Sequence, residues 1–389
     1  MHWLKQWVLV MVVLCIAEYV NAKQYVPESS DEIVHVFSST REMHHINELR
    51  NALLLNPGNY KILNKTVNLY LKLGREKSDP RYFGYAEALL SPYLMNNYLP
   101  EQTLIHWADI LQHRHDFDQA LKILNGLAGK RSENPQVYLM RAIIHISRGE
   151  YDQALNNCKS LITRATHLVT VSCVAQVKSL TGELQKSFEL LRQTLDLSKD
   201  SDQEEKIWAI TLLGDMAVRI GKFNIAEKYY QQVLMLNDHD YYVLASYADL
   251  LLKWHQFDRV ISLLGEFTYV DKLLLRLAQA SIKTGDDLSE KYIAQLESGY
   301  RLNELRGEKV HLRDQAIFYF SVKNNLEKAL SLAKRNWKVQ KEPADIKLLL
   351  NISINSGNKQ EVKNVAEWIS EQLLEDIELD SMLNQVVSL

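Results

Sequence analysis

The stretch LLGDMAVRIGKFNIAEKYYQQVLML, residues 212–236, contains the pattern that decides the fold. Apolar residues recur there at intervals of three and four on both sides of Gly221-Lys222-Phe223, a spacing that is typical of amphipathic helices. Glycine adopts the positive φ that ends a helix at little cost. Small residues at Gly214 and Ala226 allow two helices to approach closely. The stretch therefore predicts two antiparallel helices joined by a tight turn.

Turns of this kind recur along the chain with a regular spacing. They begin at residues 115, 149, 182, 221 and 255, so successive turns are 34, 33, 39 and 34 residues apart. A period of 34 residues is that of the tetratricopeptide repeat. The positions that carry the pattern in residues 207–240 are Ile210, Leu213, Gly214, Ala217, Gly221, Phe223, Ala226 and Tyr230.

The chain therefore resembles the tetratricopeptide-repeat proteins over residues 40–378, most strongly over 101–265. The resemblance implies an all-α fold, a right-handed superhelical solenoid of antiparallel helix pairs. We expect a solenoid of about eight to nine pairs over 41–378 and a C-terminal tail over 379–389. The best-matching repeats are residues 101–134, 135–167, 168–206, 207–240 and 241–270.

The first 22 residues predict a signal peptide. MHWLKQW contains one lysine, VLVMVVLCIA is an apolar run of ten, and Val20 and Ala22 form a small-residue cleavage pattern. The run is too short for a membrane-spanning helix, which needs about 20 residues. We expect cleavage after Ala22, a flexible segment over 23–40, and an exported protein, periplasmic or secreted. The alternative is an uncleaved N-terminal anchor that leaves the chain facing the periplasm.

Composition narrows the class of function. The chain has 47% hydrophobic and 24% charged residues but only 14 Gly and 7 Pro in 389 residues, which favours a folded chain of long helices. The net charge of -3 argues against a nucleic-acid binder, which normally has a basic stripe. It argues equally against an electrostatic attachment to anionic lipid. A membrane contact is expected only through an uncleaved signal sequence.

Two cysteines remain in the mature chain, Cys158 and Cys173. Export would place them in an oxidising compartment, where disulfides persist. They can form one bridge between adjacent helices, or they can be two buried thiols that act as small apolar side chains. The spacing leaves both alternatives open.

No catalytic or metal-binding motif stands out. His106, His113 and His115 are separated by seven and two residues, whereas helical ligands need intervals of three or four to share a face. GLAGKRS, residues 126–132, lacks the first glycine and the Ser/Thr of a phosphate loop, and NDHD, residues 237–240, lacks the Gly and Glu of a calcium loop. We therefore predict no metal site, no cofactor and no enzymatic activity.

A solenoid of helix pairs has a concave face lined mainly by the first helix of each pair. In the family that this chain resembles, partner peptides usually lie in that groove. Charged residues recur at equivalent positions there and are flanked by Trp208 and Tyr242, and aromatic anchors beside charges are typical of binding centres. Alternatively, Asp215–Arg219 and Asp249–Lys253 are ordinary i, i+4 pairs on a solvated face. The predicted partner-binding residues are Asp109, His113, Trp208, Asp215, Arg219, Tyr242, Asp249, Lys253, Gln279 and Lys283.

These features predict a non-catalytic scaffold or adaptor in the cell envelope that binds a peptide or helix of a partner protein in its concave groove. The alternative is an accessory subunit that docks a catalytic partner or one of glycan export and assembly. An enzyme in its own right is the weakest hypothesis, since no set of titratable residues converges. NWKVQKEPAD, residues 336–345, is similar to stretches of bacterial repeat proteins, which favours a bacterial envelope. The Lys, Arg and Asn residues of a carboxylate clamp are missing from the first repeats.

Overall fold

The computed structural model describes residues 41–96, 98–305 and 311–387. The contacts divide the chain into two units between Glu48 and Leu49, and the helices from α2 onward belong to the second unit. The described residues form 20 α-helices and no strand, which confirms the all-α fold. None of these helices combines the length and apolar character needed to cross a membrane. The predicted signal peptide and the segment over 23–40 lie outside the described residues.

The helices follow one another with short connections. A 3₁₀ helix, Ser91–Met95, follows the third α-helix. The α-helices are α1 (Arg41–Leu55), α2 (Tyr60–Glu76), α3 (Arg81–Leu90), α4 (Glu101–His113), α5 (Phe117–Gly129), α6 (Pro135–Arg148), α7 (Tyr151–Lys159), α8 (His167–Lys178), α9 (Leu184–Leu197), α10 (Gln203–Ile220), α11 (Phe223–Leu236), α12 (Tyr241–Lys253), α13 (Phe257–Leu264), α14 (Asp271–Thr284), α15 (Ser289–Leu305), α16 (Leu312–Ser321), α17 (Leu326–Trp337), α18 (Pro343–Asn355), α19 (Lys359–Gln372) and α20 (Ile377–Val387).

From α2 to α19 the described helices form nine consecutive pairs, each packed helix against helix. We call the first helix of a pair helix A, the second helix B and the connection between them the A–B turn. One residue of every A–B turn has positive φ, and five of these nine residues are glycines. They are Ser78, His115, Gly149, Gly182, Gly221, His255, Gly285, Asn324 and Gly357.

Close helix packing explains the small residues in the repeat. A Cβ atom added to Gly214 of α10 would lie 2.6 Å from the Tyr230 ring of α11. The pair α2/α3 shows the same contact, because a Cβ on Gly74 would lie 2.6 Å from the ring of Phe83. Ala226 is fully buried. The small residue and the aromatic ring therefore fit together where helices A and B are closest.

The A helices α4, α6, α8 and α10 pack against one another in sequence, as do α12, α14, α16 and α18. One hydrophobic cluster joins side chains of α4–α8 to side chains of α16–α20, so the early and late repeats share a core. Residues 379–387, predicted as part of a C-terminal tail, belong instead to helix α20. Leu379 is fully buried in the shared cluster, and this burial holds the helix in place.

The structure contains a disulfide between Cys158 of α7 and Cys173 of α8, with Cα atoms 5.4 Å apart. The bridge joins helix B of one pair to helix A of the next. Its sequence separation of 15 residues encloses only the connection between the two helices and their facing ends.

Candidate functional site

The A helices bring charged and aromatic residues together on the inner face of the repeats. At its centre, Asp215 of α10 accepts hydrogen bonds from the hydroxyls of Tyr230 and Tyr242, each 2.8 Å long. Burial raises the pKa of Asp215 to about 6, even though both hydroxyls favour the ionised carboxylate. Tyr242 keeps 52% of its surface exposed. Desolvation and the neighbouring Asp215 carboxylate raise the pKa of Tyr242.

Arg219, one helical turn after Asp215, is buried and binds neutral groups. Its guanidinium donates to the Ser179 carbonyl oxygen at 2.8 Å and to the Ser179 hydroxyl at 2.6 Å. Burial lowers the pKa of Arg219, and the nearby carboxylates of Asp376 and Asp215 partly offset that effect. Ser179 is the residue that directly follows α8. Arg219 of α10 therefore links two neighbouring repeats.

The structure corrects the alternative interpretation of i, i+4 pairs. Asp215–Arg219 and Asp249–Lys253 are absent from the ion pairs of the described residues. Asp249 instead binds Arg276 of α14, with oxygen–nitrogen distances of 2.9 and 3.0 Å. The charges on this face therefore connect successive A helices rather than successive turns of one helix.

Arg276 of α14 is a buried cation on this face that the sequence did not indicate. It also donates to Asp314 of α16 at 3.1 Å, so one buried guanidinium spans three A helices. Burial lowers the pKa of Arg276, but Asp249 and Asp314 outweigh burial and raise it. Arg276 lies three residues before the predicted residue Gln279, a spacing that could have placed it on the same helix face.

A second arginine, the partly buried Arg313 of α16, also binds carboxylates, and the sequence did not indicate it. It binds Glu342 at 2.6 Å and Asp345 at 2.7 Å through the same guanidinium nitrogen. Asn336 donates to Asp345 at 2.6 Å, and the Ser147 hydroxyl donates to Glu342 at 3.1 Å. These contacts explain the stretch NWKVQKEPAD, because its first and last residues bind each other and its Glu reaches an early repeat.

The other predicted residues are distributed along the array. His113 stacks on Phe83, with ring centroids 3.5 Å apart, and burial lowers its pKa to about 3. Asp109 binds Arg75, and Gln279 donates to the Ser321 hydroxyl at 2.8 Å. Trp208 is half-buried against both hydrophobic clusters, whereas Lys283 is exposed. Among the described residues, no group of three His, Cys, Asp or Glu side chains is placed to hold a metal ion.

Lys253, at the end of α12, contacts the last helix of the described chain. It forms an ion pair with Glu378 of α20 and lies 4.0 Å from the centroid of the Phe223 ring. Lys347 of α18 binds the same carboxylate at 2.7 Å and lies 3.4 Å from Asp376. Burial raises the pKa of Glu378, but Lys347 and Lys253 outweigh burial and hold it below its usual value.

The C-terminal residues run along the A–B turns of the earlier repeats. Added Cβ atoms would lie 2.8 Å from the Trp368 ring at Gly149, 3.2 Å from Leu373 at Gly182 and 3.0 Å from Ile377 at Gly221. Two hydrogen bonds accompany these contacts. Lys341 N–H donates to the Ser147 carbonyl and Leu184 N–H donates to the Glu375 carboxylate, both at 2.7 Å.

No protein-family model and no curated protein matches this sequence. Among solved structures, the chain is similar to Cut9 in an APC/C hetero-tetramer with Hcn1, at 13% identity and a TM-score of 0.47, over 87% of this chain and 66% of that one. It is also similar to human IFIT1 in a dimer with m7Gppp-AAAA, at 11% identity and a TM-score of 0.46, over 85% and 86% of the two chains. A Rap protein complexed with competence and sporulation factor matches at 14% identity and a TM-score of 0.46, over 84% and 99%. At these identities the likeness concerns the fold alone.

Proposed function

We propose that this chain is a non-catalytic interaction scaffold that binds an extended or helical segment of another protein on the inner face of its A helices. The observation that carries the proposal is Tyr242. It is a large aromatic side chain, half exposed, and its neighbours Asp215 and Tyr230 are already hydrogen-bonded. Tyrosine suits this role because it offers a large contact area and loses little conformational freedom on binding.

The surrounding network fixes this anchor in position. The hydroxyl of Tyr242 is held by Asp215, which is in turn held by Tyr230. A side chain that is already ordered loses less entropy when a partner binds. The ion pairs of Arg276 with Asp249 and Asp314 give the adjacent A helices a fixed spacing. The binding face is therefore preorganised before a partner binds.

The test is site-specific photocrosslinking in cell extracts with a benzophenone amino acid at Tyr242. A matched control carries the same group at Ile225, which is 39% exposed on helix B α11. We expect an adduct from Tyr242 that is missing from Ile225, and loss of the partner from Tyr242→Ala but not from Ile225→Ala. Equal adducts from both positions would contradict the proposal. Substitution of Asp249 is less informative, because it removes a carboxylate from buried Arg276.

We also propose that the chain works after export, in the periplasm or outside the cell. The apolar run before Ala22 supports this location, and so does the disulfide between Cys158 and Cys173, because bridges persist in oxidising compartments. N-terminal sequencing of the protein from its native source tests the proposal. We expect a first residue of Lys23, whereas a start at Met1 would show that the leader is retained.

A further inference from the structure

We propose that the A–B turns from Gly182 to Lys253 form a docking surface for an acidic segment with apolar side chains, and that the chain's own residues Leu373–Glu378 occupy it. The surface differs from the inner face around Tyr242, so the inference goes beyond the proposed function. The partner in trans is a polypeptide segment of the same chemistry. That partner segment would bind to the docking surface after displacing residues Leu373–Glu378.

The apolar part of the recognition rests on two glycine turns. Leu373 packs on Gly182 and Ile377 packs on Gly221, in each case where any Cβ on the glycine would be 3.2 Å or less from the side chain. The two contacts are four residues apart in the segment and lie on successive repeats. The turns therefore offer two shallow apolar seats at a fixed separation.

The acidic part rests on two groups of the surface, the Leu184 N–H and Lys253, and on Lys347 of the neighbouring helix α18. Glu375 accepts a hydrogen bond from Leu184 N–H at 2.7 Å, and Leu184 is the first residue of α9, where free N–H groups and the helix dipole favour a carboxylate. Glu378 is bound by Lys253 and Lys347. Residues 371–380, EQLLEDIELD, contain five carboxylates, four large apolar residues and no lysine or arginine. The occupant and the surface are therefore complementary in charge and in shape.

Two observations indicate that the segment can exchange. Leu373 has a φ of 56°, a conformation that is strained for a residue with a branched side chain. Leu373 and Ile377 remain 66% and 48% exposed although they form the apolar contacts. In contrast, Leu374 and Leu379 are buried, with 4% and 0% of their surface exposed. The segment therefore stays bound to the surface until a partner offers comparable contacts.

The experiment uses the full chain and a fluorescent peptide with the sequence of residues 370–387. In the variant Glu378→Lys, the new ammonium group faces Lys253 and Lys347 and repels them. The matched control is Glu371→Lys, since Glu371 is exposed at the end of α19, just before the segment, and outside the ion pairs of the described residues. Peptide affinity is measured by fluorescence anisotropy, and release of the segment is measured by hydrogen exchange with mass spectrometry.

We expect faster exchange over 373–387 and at the Leu184 amide in Glu378→Lys, because Glu375 leaves with the segment. Exchange over the rest of 101–265 should be unchanged, and peptide binding should be at least tenfold tighter than in the wild type or Glu371→Lys. Adding Lys253→Glu should abolish that gain. Unchanged exchange over 373–387 would overturn the proposal, as would loss of protection throughout the repeat helices together with α20. A released segment with no gain in peptide affinity would overturn it as well.

Discussion

The A–B turns with glycine fall into two groups that share a backbone conformation and differ in what covers them. Gly149, Gly182 and Gly221 have φ between 74° and 83°, and each contacts a C-terminal side chain. Gly285 and Gly357 have φ of 72° and 66°, but an added Cβ would meet no atom within 4 Å. In the second group, glycine is favoured only by the positive φ. In the first group, it is favoured also because a Cβ would be too close to a C-terminal side chain.

This difference shows that the repeat pattern and the packing of the C-terminal residues depend on the same glycines. A glycine that ends helix A also removes the side chain that would keep the C-terminal segment away. Turns outside the covered group need not be glycine, since His255 and Asn324 adopt positive φ in the equivalent places. The covered turns are thus expected to be the less tolerant of substitution.

The largest expected effect is that of Gly149→Ala compared with Gly357→Ala. At Gly357 only the positive φ opposes a Cβ, which costs about 1 kcal/mol. At Gly149 the Cβ also overlaps the Trp368 ring at 2.8 Å, so we expect a loss of about 3 kcal/mol. Urea denaturation of both variants measures the difference. Equal losses would mean that the contact with Trp368 has no energetic weight.

A double-mutant cycle sharpens the comparison. Trp368→Ala removes the ring that covers Gly149, so the extra penalty of Gly149→Ala should disappear in that background. We expect a coupling of about 1–2 kcal/mol between the two positions. The same cycle between Trp368 and Gly357 is the control and should give a coupling near zero. Additive losses at positions 149 and 368 would contradict the close contact.

A smaller effect is expected from the ion pairs of Glu378, the residue that follows Ile377 in the C-terminal segment. Glu378→Gln removes the charge bound by Lys253 and Lys347 and should cost about 1 kcal/mol at neutral pH. Because the pKa of Glu378 is held below its ordinary value, its contribution is present above the ordinary glutamate pKa. That contribution is lost as the pH falls through the depressed pKa. The difference in unfolding free energy between wild type and variant should therefore vanish in acid, and a difference that persists there would exclude the charge as its source.

Much of the fold follows from the sequence, because the determining interactions are local. The turn at Gly221 and the small residues Gly214 and Ala226 specify a helix pair within 25 residues, and each pair repeats this logic. The helix at 377–387 could not be predicted in the same way. It is held by Leu379 in a cluster with distant repeats, and no local pattern around residue 379 indicates that burial.

The site was predictable as a face but not as a set of contacts. The helical spacing places Asp215, Tyr242 and Asp249 on the A helices, yet their charges pair across helices with residues such as Arg276. Lys253 and Glu378 are 125 residues apart in sequence, and one sequence alone carries no signal for such a pair. Several charged groups that local spacing leaves without a partner are therefore engaged with residues distant in sequence.

The most direct test of the contact between the C-terminal segment and the early A–B turns is amide hydrogen exchange at Leu184, followed by NMR with leucine-selective labelling. Leu184 begins α9 and so lacks an intrahelical acceptor, which leaves Glu375, 191 residues away, to protect its N–H. We predict slow exchange in the wild type and at least tenfold faster exchange in Glu375→Ala, while Leu213 in the core of α10 is unaffected. Fast exchange at Leu184 in both proteins would contradict the contact between the C-terminal segment and the early turns.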